Sequence, residues 1–182
     1  MKVKEIMTTG AGYCSPDNRV TDAAVIMWQK DCGVVPVVGS DNKVIGVVTD
    51  RDICIALASR NQTAADIRLG DLIGKQVVTV SQHDEIKTAA KLMGKKQIHR
   101  LPVVDDSGNL VGMLSIADLI KAAGGKTKDK TLSSKKIFKL IAAINRKPPI
   151  VLMAADNQGA DEETPDDSPH ETSSVQDVSE TN

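Results

Sequence analysis

At 182 residues with only 2% aromatics, the chain is long enough for one or two small domains whose core must be built from Val, Ile, Leu, Met and Ala. The net charge of −1 is uneven: residues 1–125 carry 15 basic and 14 acidic side chains, residues 126–147 eight and one, and residues 156–182 nine acids with no Lys or Arg. Three cysteines without C-x-x-C spacing indicate neither a disulfide framework nor a zinc site, Met1–Gly12 lacks the apolar region of a secretory signal, and the longest apolar run, Ile150–Ala155, is too short to cross a bilayer. These features read as a soluble cytoplasmic protein.

Val3–Met7 is a short apolar–polar lead-in, and Tyr13–Ser15 reads as a short strand. The turn Ser15-Pro16-Asp17-Asn18 then offers side-chain oxygens to cap a helix. Val20, Ala23, Ala24 and Met27 recur at helical spacing and share one face. Trp28 extends that stripe as a core residue or a subunit contact. Two β-rich runs, Val34–Val38 and Val44–Val48, flank Gly39-Ser40-Asp41-Asn42-Lys43 and form a hairpin, with a second helix after Thr49.

The whole pattern returns 66 residues later without a gap. Leu69–Ile73 echoes the lead-in, Val77–Val80 the strand, Ser81-Gln82-His83-Asp84 the turn, and Ile86, Ala89, Ala90 and Met93 the helical stripe. Leu101–Val104 and Leu110–Leu114 repeat the hairpin around Asp105-Asp106-Ser107-Gly108-Asn109, with a helix after Ser115. One β-α-β-β-α unit is therefore used twice, and two copies suit a closed pseudo-symmetric pair better than a solenoid. The expected divisions are repeat 1 at 1–58, a linker at 59–68, repeat 2 at 69–123, a basic linker and amphipathic helix at 124–155, and an acidic tail at 156–182.

Each unit closes its hairpin with the same signature, Gly46-Val47-Val48-Thr49-Asp50-Arg51-Asp52 and Gly112-Met113-Leu114-Ser115-Ile116-Ala117-Asp118. A hydroxyl three residues ahead of an acid before an apolar run is a capping box, which satisfies free N–H groups at a helix start. The same geometry suits a ligand. A strand-to-helix turn aims N–H groups and a hydroxyl at a phosphate, and a carboxylate one turn later accepts hydrogen bonds from ribose hydroxyls. The two roles are compatible.

With Val35-Pro36-Val37-Val38 ahead of the first signature and His99-Arg100-Leu101-Pro102-Val103-Val104 ahead of the second, the doubled block resembles a tandem pair of CBS domains, the Bateman module, over about residues 1–123. The resemblance implies an α/β (α+β) fold of two βαββα repeats packed sheet to sheet, with two clefts between them. It also implies pairing into a homodimer and binding of AMP, ADP, ATP or S-adenosylmethionine, with the bound state passed to an effector. Carried onto this chain, it places Asp52 and Asp118 on ribose hydroxyls and Thr49 and Ser115 on phosphate. Tyr13, Cys14 and Ser15, and the matching Val78, Thr79 and Val80, lie beside the adenine, largely through backbone contacts. Val34, Val35 and Leu101 line the base pocket, and His99 and Arg100 send positive charge toward phosphate. The first repeat has Gly33 and Val34 at those two positions, and Arg51 has no basic counterpart at Ala117, so the clefts are not equivalent.

Each cation also has a simpler role open to it: Arg100 pairing with Asp105 or Asp106 at the surface, His99 as a half-buried structural residue. Catalysis has little support. No G-x-G-x-x-G, Walker A, H-E-x-x-H or G-x-S-x-G occurs, and neither Asp52 nor Asp118 has a nucleophile or metal partner. No catalytic cofactor is implied.

Beyond the pair, Ser133 or Ser134 caps a helix with Ile137, Leu140, Ile141 and Ile144 on one face, ended by Pro148-Pro149. It suits packing on the pair or its dimer mate, or an anionic membrane surface or partner. Phe138, its only aromatic, is read on the apolar side, which argues against nucleic-acid binding. The acidic tail has too few apolar residues to fold. With no effector domain in this sequence, the effector is expected to be a separate protein.

Overall fold

A computed structural model of the protein describes residues 1–74, 76–124 and 133–146. The sequence readings for the Lys-rich segment before residue 133, the Pro148-Pro149 stop, Ile150–Ala155 and the acidic tail lie outside these residues. The described elements run β1 (Thr8–Thr9), α1 (Val20–Lys30), β2 (Val34–Val38), β3 (Val44–Thr49), α2 (Asp50–Ser59), β4 (Val80–Ser81), α3 (Ile86–Lys96), β5 (Arg100–Val104), β6 (Leu110–Ser115), α4 (Ile116–Gly124) and α5 (Ser134–Ile144). Short 3-10 turns at Val3–Glu5 and Leu69–Asp71 carry the two lead-ins.

The repeats match in detail. β2–β3 and β5–β6 are antiparallel hairpins with the same register irregularity, after Val37 and after Val103. Their turns demand one left-handed residue at the same place, supplied by Asn42 (φ 62°) in one copy and Gly108 (φ 86°) in the other. Lys43 bridges to Asn109, its own counterpart, so this contact lies on the pseudo-twofold axis. The two apolar clusters are built mostly from Val, Ile, Leu, Met and Ala, as the composition requires.

The lead-ins cross. β1 pairs with β6 of the second repeat, and Val3 is buried in that repeat's core. Reciprocally, Ile67 and Leu69 are buried in the core of the first. Lys2 bridges Glu85 and Arg19 bridges Arg68, two contacts that the 66-residue shift interconverts. The glycine of each signature sits at the crossing: a Cβ on Gly112 would lie 2.6 Å from the Thr8 carbonyl oxygen, and one on Gly46 would lie 2.6 Å from the Ile73 side chain. The expected linker thus contributes Ile67 to a core.

Several local expectations change. Tyr13–Ser15 supplies a single parallel bridge, Cys14 to Val37, and only Val80–Ser81 of the second counterpart is strand. The turn oxygens close their own turns: Asn18 Oδ1 accepts from Ser15 N at 2.8 Å, and Asp84 Oδ2 from Ser81 N at 3.1 Å. The cap of α1 comes from inside the helix, where Asp22 accepts from Arg19 N at 2.8 Å. α5 packs on α3 and α4, burying Ile137, Leu140 and Ile144. Ser133 holds its N-cap position without a side-chain hydrogen bond. Phe138 is 72% exposed rather than on the buried side, because the four aliphatic residues already fill the face toward α3 and α4.

Two outcomes follow. Gly112→Ala, where backbone would have to shift, should cost about 1–3 kcal/mol in urea unfolding, whereas Gly74→Ala, with nothing within 4 Å of its Cβ position, should lack that steric cost. Asp105 accepts from the Asn109 N–H at 2.8 Å, from the Asn109 side-chain amide at 3.0 Å and from the Ser107 N–H at 2.9 Å, and these bonds hold its carboxyl below the usual range. A lowered folded value means its stabilisation is complete above about pH 4 and is lost as pH falls through that value. Acid titration of stability should therefore be shallower below about pH 4 in Asp105→Asn than in the parent chain.

Candidate functional site

β3 and β6 each deliver a hydroxyl to the start of a helix, and both capping boxes form. Thr49 Oγ1 and N donate to Asp52 Oδ2 at 2.7 and 2.9 Å, and Asp52 N donates back to Thr49 Oγ1 at 3.1 Å. Ser115 Oγ and N donate to Asp118 Oδ2 at 2.7 and 2.8 Å, and Asp118 N donates to Ser115 Oγ at 3.2 Å. In both boxes the bonds end on Oδ2, so the cap does not use Oδ1. The first N–H of each following helix is tied to the preceding hairpin: Asp50 N donates to Gly33 O at 3.2 Å and Ile116 N to His99 O at 3.1 Å. This second bond places His99 beside the Ser115 box.

A cleft of about 580 Å³ opens there, within the size range of small-molecule sites. Ser115, Asp118, His99 and Arg100 line it from the second repeat, and Val34 and Pro36 from the first. The crossed lead-in adds Thr8 and Gly10-Ala11-Gly12, a stretch without bulky side chains; Gly10 has φ +66°. By the 66-residue shift, the other copy has Gln76-Val77-Val78 at these positions, larger groups that would fill equivalent space. Lys30 and Lys121 also line the cleft, so with Arg100 three cationic residues line it against two acids, Asp31 and Asp118. Electrostatically the cleft favours an anion.

The other proposed positions lie elsewhere. Val35 and Leu101 are fully buried in the two cores, and Val80 nearly so. Cys14 is also core: its N–H donates to Pro36 O at 3.0 Å, its carbonyl accepts from Val38 N at 2.8 Å, and burial, followed by the charge of Asp22, raises its thiol pKa. Its backbone is thus engaged with β2. Tyr13 is 59% exposed, and Ser15 Oγ donates to Asn18 Oδ1 at 3.1 Å. Thr49 and Asp52, like Val78 and Thr79, are half-buried, and Arg51 is exposed; none of these lines the described cleft. The acidic side chain of Asp50 lies over Gly33, with Oδ2 2.6 Å from where a Cβ would sit, at the positions that Ile116 and His99 occupy in the second copy.

A CBS domain model matches residues 3–59 and again 69–125. The chain belongs to the CBS domain family. A curated relative, MK0525 of Methanopyrus kandleri, is 33% identical over 107 residues, which is 59% of this chain and 55% of that protein, so the match spans about half of the relative. The CBS domain pair of protein MJ0100, solved in complex with 5′-methylthioadenosine and S-adenosyl-L-methionine, has 26% identity and a TM-score of 0.62 over 70% of this chain and 98% of its own. CBSX2 in complex with AMP has 27% identity and a TM-score of 0.58, over 67% and 95%. In MJ0100 the matched part is its CBS domain pair. Among the described residues, no group of three His, Cys, Asp or Glu side chains is placed to hold a metal ion, and no helix is long and apolar enough to cross a membrane.

Sequence reasoning missed the contribution of Gly10–Gly12, Lys30 and Lys121. Lining up the two repeats does show a small-residue stretch in one copy against bulky residues in the other. What it does not show is that the lead-in crosses to the other repeat. Because both boxes cap helices, Asp52→Ala and Asp118→Ala should each lower ligand-free stability by about 0.5–2 kcal/mol in urea unfolding.

Proposed function

We propose that this CBS pair is a regulatory module that binds an adenosine ligand in the cleft built on Ser115 and Asp118 and passes its state to a separate partner protein. The observation that carries this reading is the meeting of the second capping box, His99 and Arg100 with the small-residue lead-in Gly10–Gly12 in one open, basic cleft. Asp118 Oδ1, unused by the cap, is suited to ribose hydroxyls. Ser115 and the start of α4 are suited to phosphate, with Arg100 and Lys121 supplying charge and His99 a further hydrogen-bonding side chain. Lys30, Arg100 and Lys121 against two acids favour AMP, ADP or ATP over the cationic S-adenosylmethionine. The adenosine ligands held by MJ0100 and CBSX2 support the ligand class. Thr49, Asp52 and Arg51, with Val78 and Thr79, are assigned to the pseudo-symmetric second cleft, where the added carboxylate of Asp50 disfavours phosphate.

A second reading, a ligand-free assembly module, takes support from the capping bonds themselves, which account for both signatures without a ligand. Thermal unfolding against AMP, ADP, ATP and S-adenosylmethionine separates the two. A ligand at a hundred times its dissociation constant should stabilise the native state by about 2.7 kcal/mol. The shift should be largest with a nucleotide, vanish in Asp118→Ala, survive in Asp52→Ala, and weaken in Arg100→Ala. No shift with any of the four at millimolar concentration would favour the assembly module.

A further inference from the structure

The positive charge of the cleft is layered. Arg100 is directly opposite Ser115 in the β5–β6 register, so its side chain shares a face of the hairpin with the hydroxyl at the start of α4. Ser115 and Asp118 are half-buried. Lys121 lies three residues beyond Asp118 on the same face of α4 and is exposed. From the other repeat comes Lys30, in the last turn of α1, which is exposed and also lines the cleft. The hydroxyl and carboxylate therefore stand inside, and two lysines from different repeats stand at the mouth.

The backbone fixes where Lys30 sits. Cys32 N donates to Met27 O at 3.0 Å and Asp31 N to Trp28 O at 3.4 Å, the pair of bonds that closes a helix over a left-handed residue, here Asp31 with φ 48°. The two-lysine mouth is not written twice. Under the 66-residue shift Lys30 becomes Lys96, but Lys121 becomes the apolar Ile55. Asp31 lines the cleft beside Lys30, so the mouth carries two cations against one acid.

A nucleoside monophosphate brings one phosphate, which Ser115 and Arg100 are placed to meet. Each further phosphate adds negative charge and extends outward, toward the lysines. An ammonium acts on phosphate as a point charge on a long flexible stem, which suits the moving end of such a chain better than its fixed root.

We infer that the cleft selects by phosphate number, taking a nucleoside di- or triphosphate over the monophosphate, and that Lys30 of the first repeat is the residue that, with Lys121 of the second, reads the distal phosphates. This rests on the nucleotide reading above and adds a specificity to it. The ligands held by MJ0100 and CBSX2 carry at most one phosphate, so the selection comes from the residues of this chain.

Titration calorimetry of the full chain with AMP, ADP and ATP, in magnesium-free buffer of fixed ionic strength, tests this. Affinity should rise from AMP through ADP to ATP. Lys30→Gln and Lys121→Gln should each lower the ATP-to-AMP affinity ratio about tenfold, the loss of one charged hydrogen bond. Arg100→Gln should weaken both nucleotides alike. Asp31→Asn, which keeps a residue suited to the left-handed position, should raise the ratio. Because Lys30 is exposed, the ligand-free thermal midpoint of Lys30→Gln should match that of the parent chain. A parent chain that binds AMP as tightly as ATP would overturn the inference and leave the nucleotide reading standing. So would a Lys30→Gln chain with an unchanged ratio. Binding of none of the three would remove the nucleotide reading itself, and the inference with it.

Discussion

The arrangement depends on the exchange of lead-ins over two glycines. At Gly112 the chain passes close enough that a single Cβ would meet the Thr8 carbonyl oxygen at 2.6 Å, and at Gly46 the same closeness is reached with Ile73. Each repeat therefore completes its core with residues delivered by the other: Val3 in one direction, Ile67 and Leu69 in the other. The candidate site is a by-product of this exchange. Gly10–Gly12 reach the Ser115 box only because the segment before them has crossed to pair with β6.

The parts legible in the sequence are those whose causes are local. Alternating apolar residues, turn chemistry and the three-residue spacing of hydroxyl and acid determine the hairpins and capping boxes, and each box is closed by bonds between residues three apart. The doubling itself shows as plain identity of pattern. The crossing is non-local, since nothing within Val3–Met7 says which of two similar repeats will accept it. The same limit explains Cys14: its place beside β2 is visible as strand pairing, but that pairing uses its backbone and buries its thiol. Phe138 shows the weakness of periodicity at a helix edge: it borders the groove between α4 and α5 yet stays 72% exposed.

The pseudo-symmetry matters most where it fails. Substitution of Gly33 by His99 and of Asp50 by Ile116 in the second copy replaces an acid with a potential cation at one helix start. The exchange of Gln76-Val77-Val78 for Gly10-Ala11-Gly12 opens space at the same place. Gly94, which lies beneath Leu140 and Ala143 of α5, has the exposed Trp28 as its counterpart in the first copy. The two copies thus differ in charge and in space at their helix starts, and the cleft that results is lined by both.

α4 belongs to two surfaces at once. Asp118 and Lys121 border the cleft, while Ile120 and Ala123 form a groove with α5. At the far end of α5, the Arg146 carbonyl accepts a hydrogen bond from Gln97 Nε2, two residues before His99. α5 is therefore held at three places, packed on α3 and α4 and tied again beside β5. A shift of α4 relative to the strand after Gln97 would strain either the packing of α5 or its bond to Gln97.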